Sequence, residues 1–140
     1  MRAVVQTVGR ASVTVDGEVV GEITDGLLVL LGVTHTDTPE TARTMARKVH
    51  ELRSLDDERS AADTGAGILV VSQFTLYGDA RRGRRPSWTA AAPAELAEPL
   101  VTAVVEALRE RGAPVATGRF RTHMLVESLN IGPRTLLLDL

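Results

Sequence analysis

The chain has 140 residues, 44% hydrophobic and 24% charged, with a formal net charge of −2 and no cysteine. This is the composition of an ordinary globular protein, long enough to bury a core and read as a single domain over residues 1–140. No apolar run approaches the ~20 residues of a membrane span, the N-terminus lacks the apolar stretch of a signal peptide, and disulfide and thiolate chemistry are excluded.

In chain order, "MRAVVQTV" and "ASVTVDG" alternate apolar and polar residues as half-buried strands do, and Asp16-Gly17 is a two-residue hairpin signal leading into "EVVGEI". "GLLVLLGV", Gly26 to Val33, is continuously apolar and predicts a central strand covered on both faces. Thr38-Pro39 predicts the start of a helix, with Ala42, Met45, Val49 and Leu52 on one apolar face and His50 on the solvent side. Residues 54–67 lose periodicity and read as a polar connection. A strand begins at Ile68, and a long basic loop runs to about Pro93. A second helix carries Leu96, Leu100, Val104 and Leu108 and stops at Gly112, with Pro99 marking its start or a kink. Three strands near 114–119, 123–129 and 134–139 complete a sheet-rich α/β fold with two main helices on one side.

Residues that could carry chemistry lie in three places. In "ILVVSQFTLYGD" the apolar strand gives way to Ser72, Gln73, Phe74 and Thr75; on a continuing strand Ser72 and Phe74 would share one face and Gln73 and Thr75 the other. Burying such polar groups without partners costs roughly 1–3 kcal/mol each. They must therefore bond nearby backbone at a strand end or line a cavity that receives a polar ligand. The loop "GDARRGRR" concentrates Arg81, Arg82, Arg84 and Arg85, which pattern alone reads first as a solvated surface. It is the only stretch basic enough to contact a phosphate backbone, since the net charge argues against wholesale nucleic-acid coating. "NIGPRT", Asn130 to Thr135, reads as a turn between two apolar strands, with Gly132-Pro133 able to adopt the cis form at a cost of only ~0.5–1 kcal/mol. The three histidines show no metal-ligand spacing, and there is no nucleophile elbow or phosphate-binding loop. No metal and no cofactor are expected.

Taken together, "SQFTLYGD" and "NIGPRT" resemble the two signatures of the D-aminoacyl-tRNA deacylases, proofreading ester hydrolases of translation. "ASVTVDGEVVGEI", "GLLVLLGVTH", "GRRPSWTAAAP" and "VATGRF" follow in that family's order, so the resemblance covers nearly the whole chain. It implies a three-layer β/β/α fold, a homodimer with each active site at the interface and the 3′ end of aminoacyl-tRNA as partner; no DNA or membrane partner is expected, and the composition fits a cytoplasmic location. By the same resemblance, Ser72, Gln73, Phe74 and Thr75 form the catalytic floor, the backbone N–H groups of Phe74 and Thr75 being the oxyanion donors. Thr75 has no evident histidine base, which favours positioning over nucleophilic attack, with the RNA's own ribose hydroxyl carrying the proton chemistry. Phe120, Met124, Gly132 and Pro133 are implied to bind the substrate, and Arg82, Arg84 and Arg85 the tRNA. The Gly132 and Pro133 carbonyls of one subunit would enter the other's pocket, accept the α-ammonium group and exclude an L side chain. D-aminoacyl and glycyl esters then fit.

The chain departs from the family at Thr7, where an arginine is usual, at Arg121 and Thr122, where glycine and alanine are usual, and at Ile131 and Arg134. Loss of a brace at Thr7, bulk at Arg121 and Thr122, and disturbance by Arg134 are expected to affect pocket size and chiral strictness. Two other readings stay open: a non-catalytic tRNA-binding paralogue, and a small-ester hydrolase with relaxed chirality.

Overall fold

The computed structural model describes residues 1–140 throughout. Strand β1 runs unbroken over Arg2–Val15, so the two N-terminal stretches are one strand. Asp16 and Gly17 both take positive φ (50° and 81°), the condition for a turn whose twist matches that of the flanking strands. The chain then returns along β1 as β2, Glu18–Ile23, and β3, Gly26–Gly32. β2 pairs with residues 11–15 of β1 and β3 with residues 2–8, in tandem.

Parallel pairing extends the sheet from β3 to β4, Gly67–Ser72, and on to β5, Val115–Thr117. The connections between parallel strands carry the helices. Helix α1, Pro39–Glu51, has Thr38 as N-cap in a reciprocal box with Thr41, and buries Ala42, Met45, Ala46 and Val49. The polar connection is not featureless: it contains a 3₁₀ turn at Asp56–Glu58 and a short helix α2, Ala61–Thr64, capped by Ser60. Their signal was a second capping box, Ser60 with Asp63, too short to generate apolar periodicity. Helix α3, Ala94–Glu110, runs through Pro99 without restarting there. Pro99 lies on the solvent side, where water can bond the carbonyl that it leaves free. Leu96 is also exposed, and Ala97 takes its place in the core stripe.

Burial divides into two clusters on opposite faces of the sheet. The larger joins α1 and α3 to Ala3, Val5, Leu27, Val29, Leu31, Ile68 and Val70. The smaller gathers Val8, Ala11, Val13, Val15, Leu28, Leu69 and Val71 where the sheet curls over itself. That curl brings Gly21 of β2 against the backbone of Thr117 in β5, an approach that a side chain on Gly21 would block. Two β layers and one helical layer result, the expected β/β/α arrangement. His50 is a correction: it is 7% exposed, because its end of α1 packs against Arg111, whose Nε donates to His50 Nδ1 at 3.3 Å.

The last strand departs most from the sequence reading. Residues expected to form two strands are one, β6, Leu125–Asp139, paired with β1 from Leu125↔Thr14 to Asp139↔Arg2. A strand has two hydrogen-bonding edges; β2 and β3 occupy one edge of β1, and β6 fills the other. Gln6 pairs with Thr135 and Val8 with Asn130, so four residues, 131–134, stand opposite Thr7 alone. They form a corner pushed out of the ladder, with Gly132-Pro133 in the cis form.

Candidate active site

The end of β4 opens onto a cavity of about 300 Å³. The strand stops at Ser72, and Phe74–Tyr77 coils into a 3₁₀ turn, so the expected strand alternation through Thr75 does not hold. Gln73 is still tied to the sheet, its N–H donating to the Leu31 carbonyl at 2.7 Å. The next two N–H groups, of Phe74 and Thr75, open the turn and donate to no protein acceptor, since a 3₁₀ turn supplies none to its first residues. The side chains of Ser72 and Gln73 likewise have no protein partner and line the cavity. Of the two possibilities left by the sequence, a polar-ligand cavity is the one this geometry fits.

Opposite them the wall is apolar: Leu31 and Val33 from β3 and its extension, Ala92, Ala94 and Ala97 at the start of α3, and Phe120 and Met124. Met124 reaches the cavity because Gly118 has no Cβ; one added there would stand 2.7 Å from the Met124 sulfur. The small alanines were missed from sequence, their signal being the "AAAPA" run that lets the helix start approach the cavity closely. Arg121 and Thr122 also line it, as their positions in the sequence suggest. The Arg121 guanidinium is turned away onto Glu95 (2.8 Å), and Thr122 Oγ1 donates to the Arg119 carbonyl (2.8 Å), so neither polar group is spent on the cavity. Glu95 is held below the usual carboxylate range by its own backbone N–H first and then by Arg121.

Thr75 does not line the cavity, and its hydroxyl has neither a base nor any other protein partner. Gly132 and Pro133 also lie outside the cavity of their own chain. Their corner is anchored rather than disturbed by the atypical residues around it. Arg134 donates to Asp56 Oδ1 (2.7 Å) and to the Ser54 carbonyl (3.4 Å), which also accepts from the buried Thr7 Oγ1 (2.9 Å). Asn130 Nδ2 donates to the Thr7 and Arg134 carbonyls (2.8 and 3.1 Å), closing the base of the corner.

The basic loop is linked to the cavity wall through Trp88, whose ring meets that of the cavity-lining Phe74. Asp79 and Ser87 exchange two backbone hydrogen bonds of 2.8 Å across its neck. Arg81 folds back onto Asp79 (2.7 Å), and these bonds, the side-chain one first, hold the carboxyl down at about 2. Arg82, Arg84 and Arg85 are exposed and enter no ion pair.

Known proteins share this sequence pattern and this fold. Residues 4–139 match the sequence model of the D-Tyr-tRNA(Tyr) deacylase family. The D-aminoacyl-tRNA deacylases of Acidothermus cellulolyticus and Kineococcus radiotolerans are 66% and 63% identical, each alignment covering 99% of both chains. A solved structure described as a c-Myc DNA unwinding element binding protein is 40% identical, with a TM-score of 0.92 over 99% of this chain and 98% of that one. A probable eukaryotic D-amino acid tRNA deacylase shares the fold at 17% identity, with a TM-score of 0.88 and the same coverage. The chain belongs to the D-Tyr-tRNA(Tyr) deacylase family.

Proposed function

We propose that this protein hydrolyses the ester bond of D-aminoacyl-tRNA, releasing the D-amino acid and tRNA, and so removes wrongly charged amino acids before translation uses them. The observation that carries the reading is the pair of unpartnered N–H groups on Phe74 and Thr75 beside a cavity floored by Ser72 and Gln73. Attack of water on an ester carbonyl drives charge onto its oxygen, and fixed backbone donors stabilise that charge without reorganising. Losing one such donor costs roughly 10²–10³-fold in rate in other hydrolases. The ester C–O bond then breaks and the ribose oxygen takes a proton. No histidine lines the cavity, so the neighbouring ribose hydroxyl of the RNA is assigned the proton transfer, with protein groups positioning it.

Chirality is assigned to a second copy of the chain. β6 is an outer strand of 15 residues whose Leu125 and Leu137 are 63% and 61% exposed. A long apolar edge left in water invites pairing with another chain, and a symmetric dimer covers it. Its Gly132-Pro133 corner, anchored by Arg134 and Asn130, is the part that would reach into the partner's cavity. There the Gly132 and Pro133 carbonyls accept the substrate's α-ammonium group and leave no space for an L side chain, discrimination by exclusion. Glycyl esters, lacking a side chain, pass the same filter. Arg82, Arg84 and Arg85 contact phosphates near the 3′ end.

The test is to incubate the pure protein with matched D- and L-aminoacyl-tRNA and a small D-aminoacyl ester. The reading requires hydrolysis of the D-aminoacyl-tRNA and sparing of the L form. Binding without hydrolysis would make the protein a tRNA-binding paralogue, and equal turnover of small D and L esters would make it a general esterase.

A further inference from the structure

At the cavity wall stands an exposed pair of aromatic side chains whose rings the ester chemistry does not use. Phe74, on the cavity wall, is 56% exposed, and Trp88, at the foot of the basic loop, is 43% exposed. Their rings meet edge to face, centroids 5.3 Å apart and planes at 72°. The Trp88 ring is seated against Gly78, where any Cβ would strike it, and the paired neck of Asp79 and Ser87 immediately precedes it. The indole is thus held in place on one side and open to solvent on the other. The contact leaves about half of each residue accessible, and adjoining exposed aromatic rings mark an interaction surface.

We infer that Trp88, braced by Phe74, is a stacking platform for the unpaired RNA strand, taking the base that precedes the terminal adenosine. The inference rests on the reading above, in which that adenosine and its ester occupy the cavity. Three features are then joined through Trp88: a cavity for the end of the strand, the aromatic pair on its wall, and a loop, closed just before Trp88, that carries three unpaired guanidiniums. Alternation of ring faces with cationic groups is how proteins hold single strands without reading sequence, since every base offers a π-face and every nucleotide a phosphate. The occupant is RNA rather than a protein surface because the cationic groups flanking the rings have no acidic partner of their own.

Trp88 is the only tryptophan in the chain, so its emission reports on this site alone. Wild-type protein is titrated with the trinucleotide CCA, with CCA lacking its middle base, and with adenosine. Stacking predicts saturable quenching by CCA that the abasic trinucleotide and adenosine do not reproduce. Trp88→Ala is expected to raise KM for D-aminoacyl-tRNA about tenfold more than KM for D-aminoacyl-adenosine, and Trp88→Phe to recover most of that difference. Equal quenching by the abasic trinucleotide would assign the signal to phosphate contact and overturn the platform. So would emission that changes on dilution but not with RNA, because the partner subunit would then cover the ring. Failure of the protein to hydrolyse any D-aminoacyl-tRNA would instead sink the functional reading, independently of the emission titration.

Discussion

The helical layer and strand β6 are equally apolar in sequence and opposite in outcome. Leu108 of α3 and Met45 of α1 are fully buried, while Leu125 and Leu137 of β6 stand in water. The helices are finished within one chain: their stripes close on the sheet and their N-termini are capped or start at proline. β6 has satisfied one edge, against β1, and has nothing on the other. The difference separates what one chain stabilises by itself from the face to which the proposal assigns a second copy.

The contrast can be broken first on the helical side. Leu108→Ala should cost about 2–5 kcal/mol of unfolding free energy, because the surrounding sheet cannot collapse into the space left. Urea unfolding followed by circular dichroism measures it, and a loss under about 1 kcal/mol would mean that the layer is looser than its burial indicates. The paired change on β6, Leu125→Ser with Leu137→Ser, should leave intrinsic stability within roughly 0.5 kcal/mol, as exposed substitutions do. It should nevertheless weaken self-association in sedimentation and lower deacylation in step with the loss of dimer. Unaltered association would place the interface elsewhere.

Smaller effects sharpen the comparison at single residues. Thr75→Ala should keep deacylation within about tenfold of wild type, because the hydroxyl has no base and the backbone N–H survives; near-total loss in a folded variant would restore Thr75 as nucleophile. His50, inside the helical layer, has its pKa lowered by burial first and then by Arg111, against the opposing Glu51. The Arg111 N–H bond also requires an unprotonated Nδ1. The unfolded chain therefore takes up a proton more readily. The stability that His50 contributes is present above the usual 6.5 and is lost as pH falls below it. Urea midpoints at pH values on either side of that point should diverge in wild type and converge in His50→Gln.

Much of this was legible in the residues, for reasons that differ by region. The hairpin at Asp16-Gly17, the cap at Thr38-Pro39 and the apolar run 26–33 follow local rules, and the structure obeys them. At Ser72 and Gln73 the sequence showed only that polar groups at the end of a core strand need an explanation, and the structure leaves both side chains lining a cavity without a protein partner. Non-local pairing was not legible. Nothing in "MLVESLNIGPRTLLLDL" says that both halves lie along one strand, because the corner at 131–134 looks locally like any Gly-Pro turn. His50 was misplaced because helical spacing sees the facing sheet but not α3, which covers the flank of α1 from another part of the chain. The short helix at 61–64 and the 3₁₀ turn at 74–77 are below the length at which periodicity speaks.

The central claim is that one chain's corner completes the other chain's cavity, and mixing two disabled subunits tests it most directly. Ser72→Trp fills the cavity but leaves the corner, whereas Gly132→Trp puts bulk on the corner, at a φ of +113° that side chains rarely adopt, and leaves the cavity. Each variant alone should be inactive. After subunit exchange, half of the dimers are mixed and each holds one intact site, so roughly a quarter of wild-type activity on D-aminoacyl-tRNA should return. Mixed dimers that form and stay inactive would contradict the account, because each cavity would then depend on its own chain's corner.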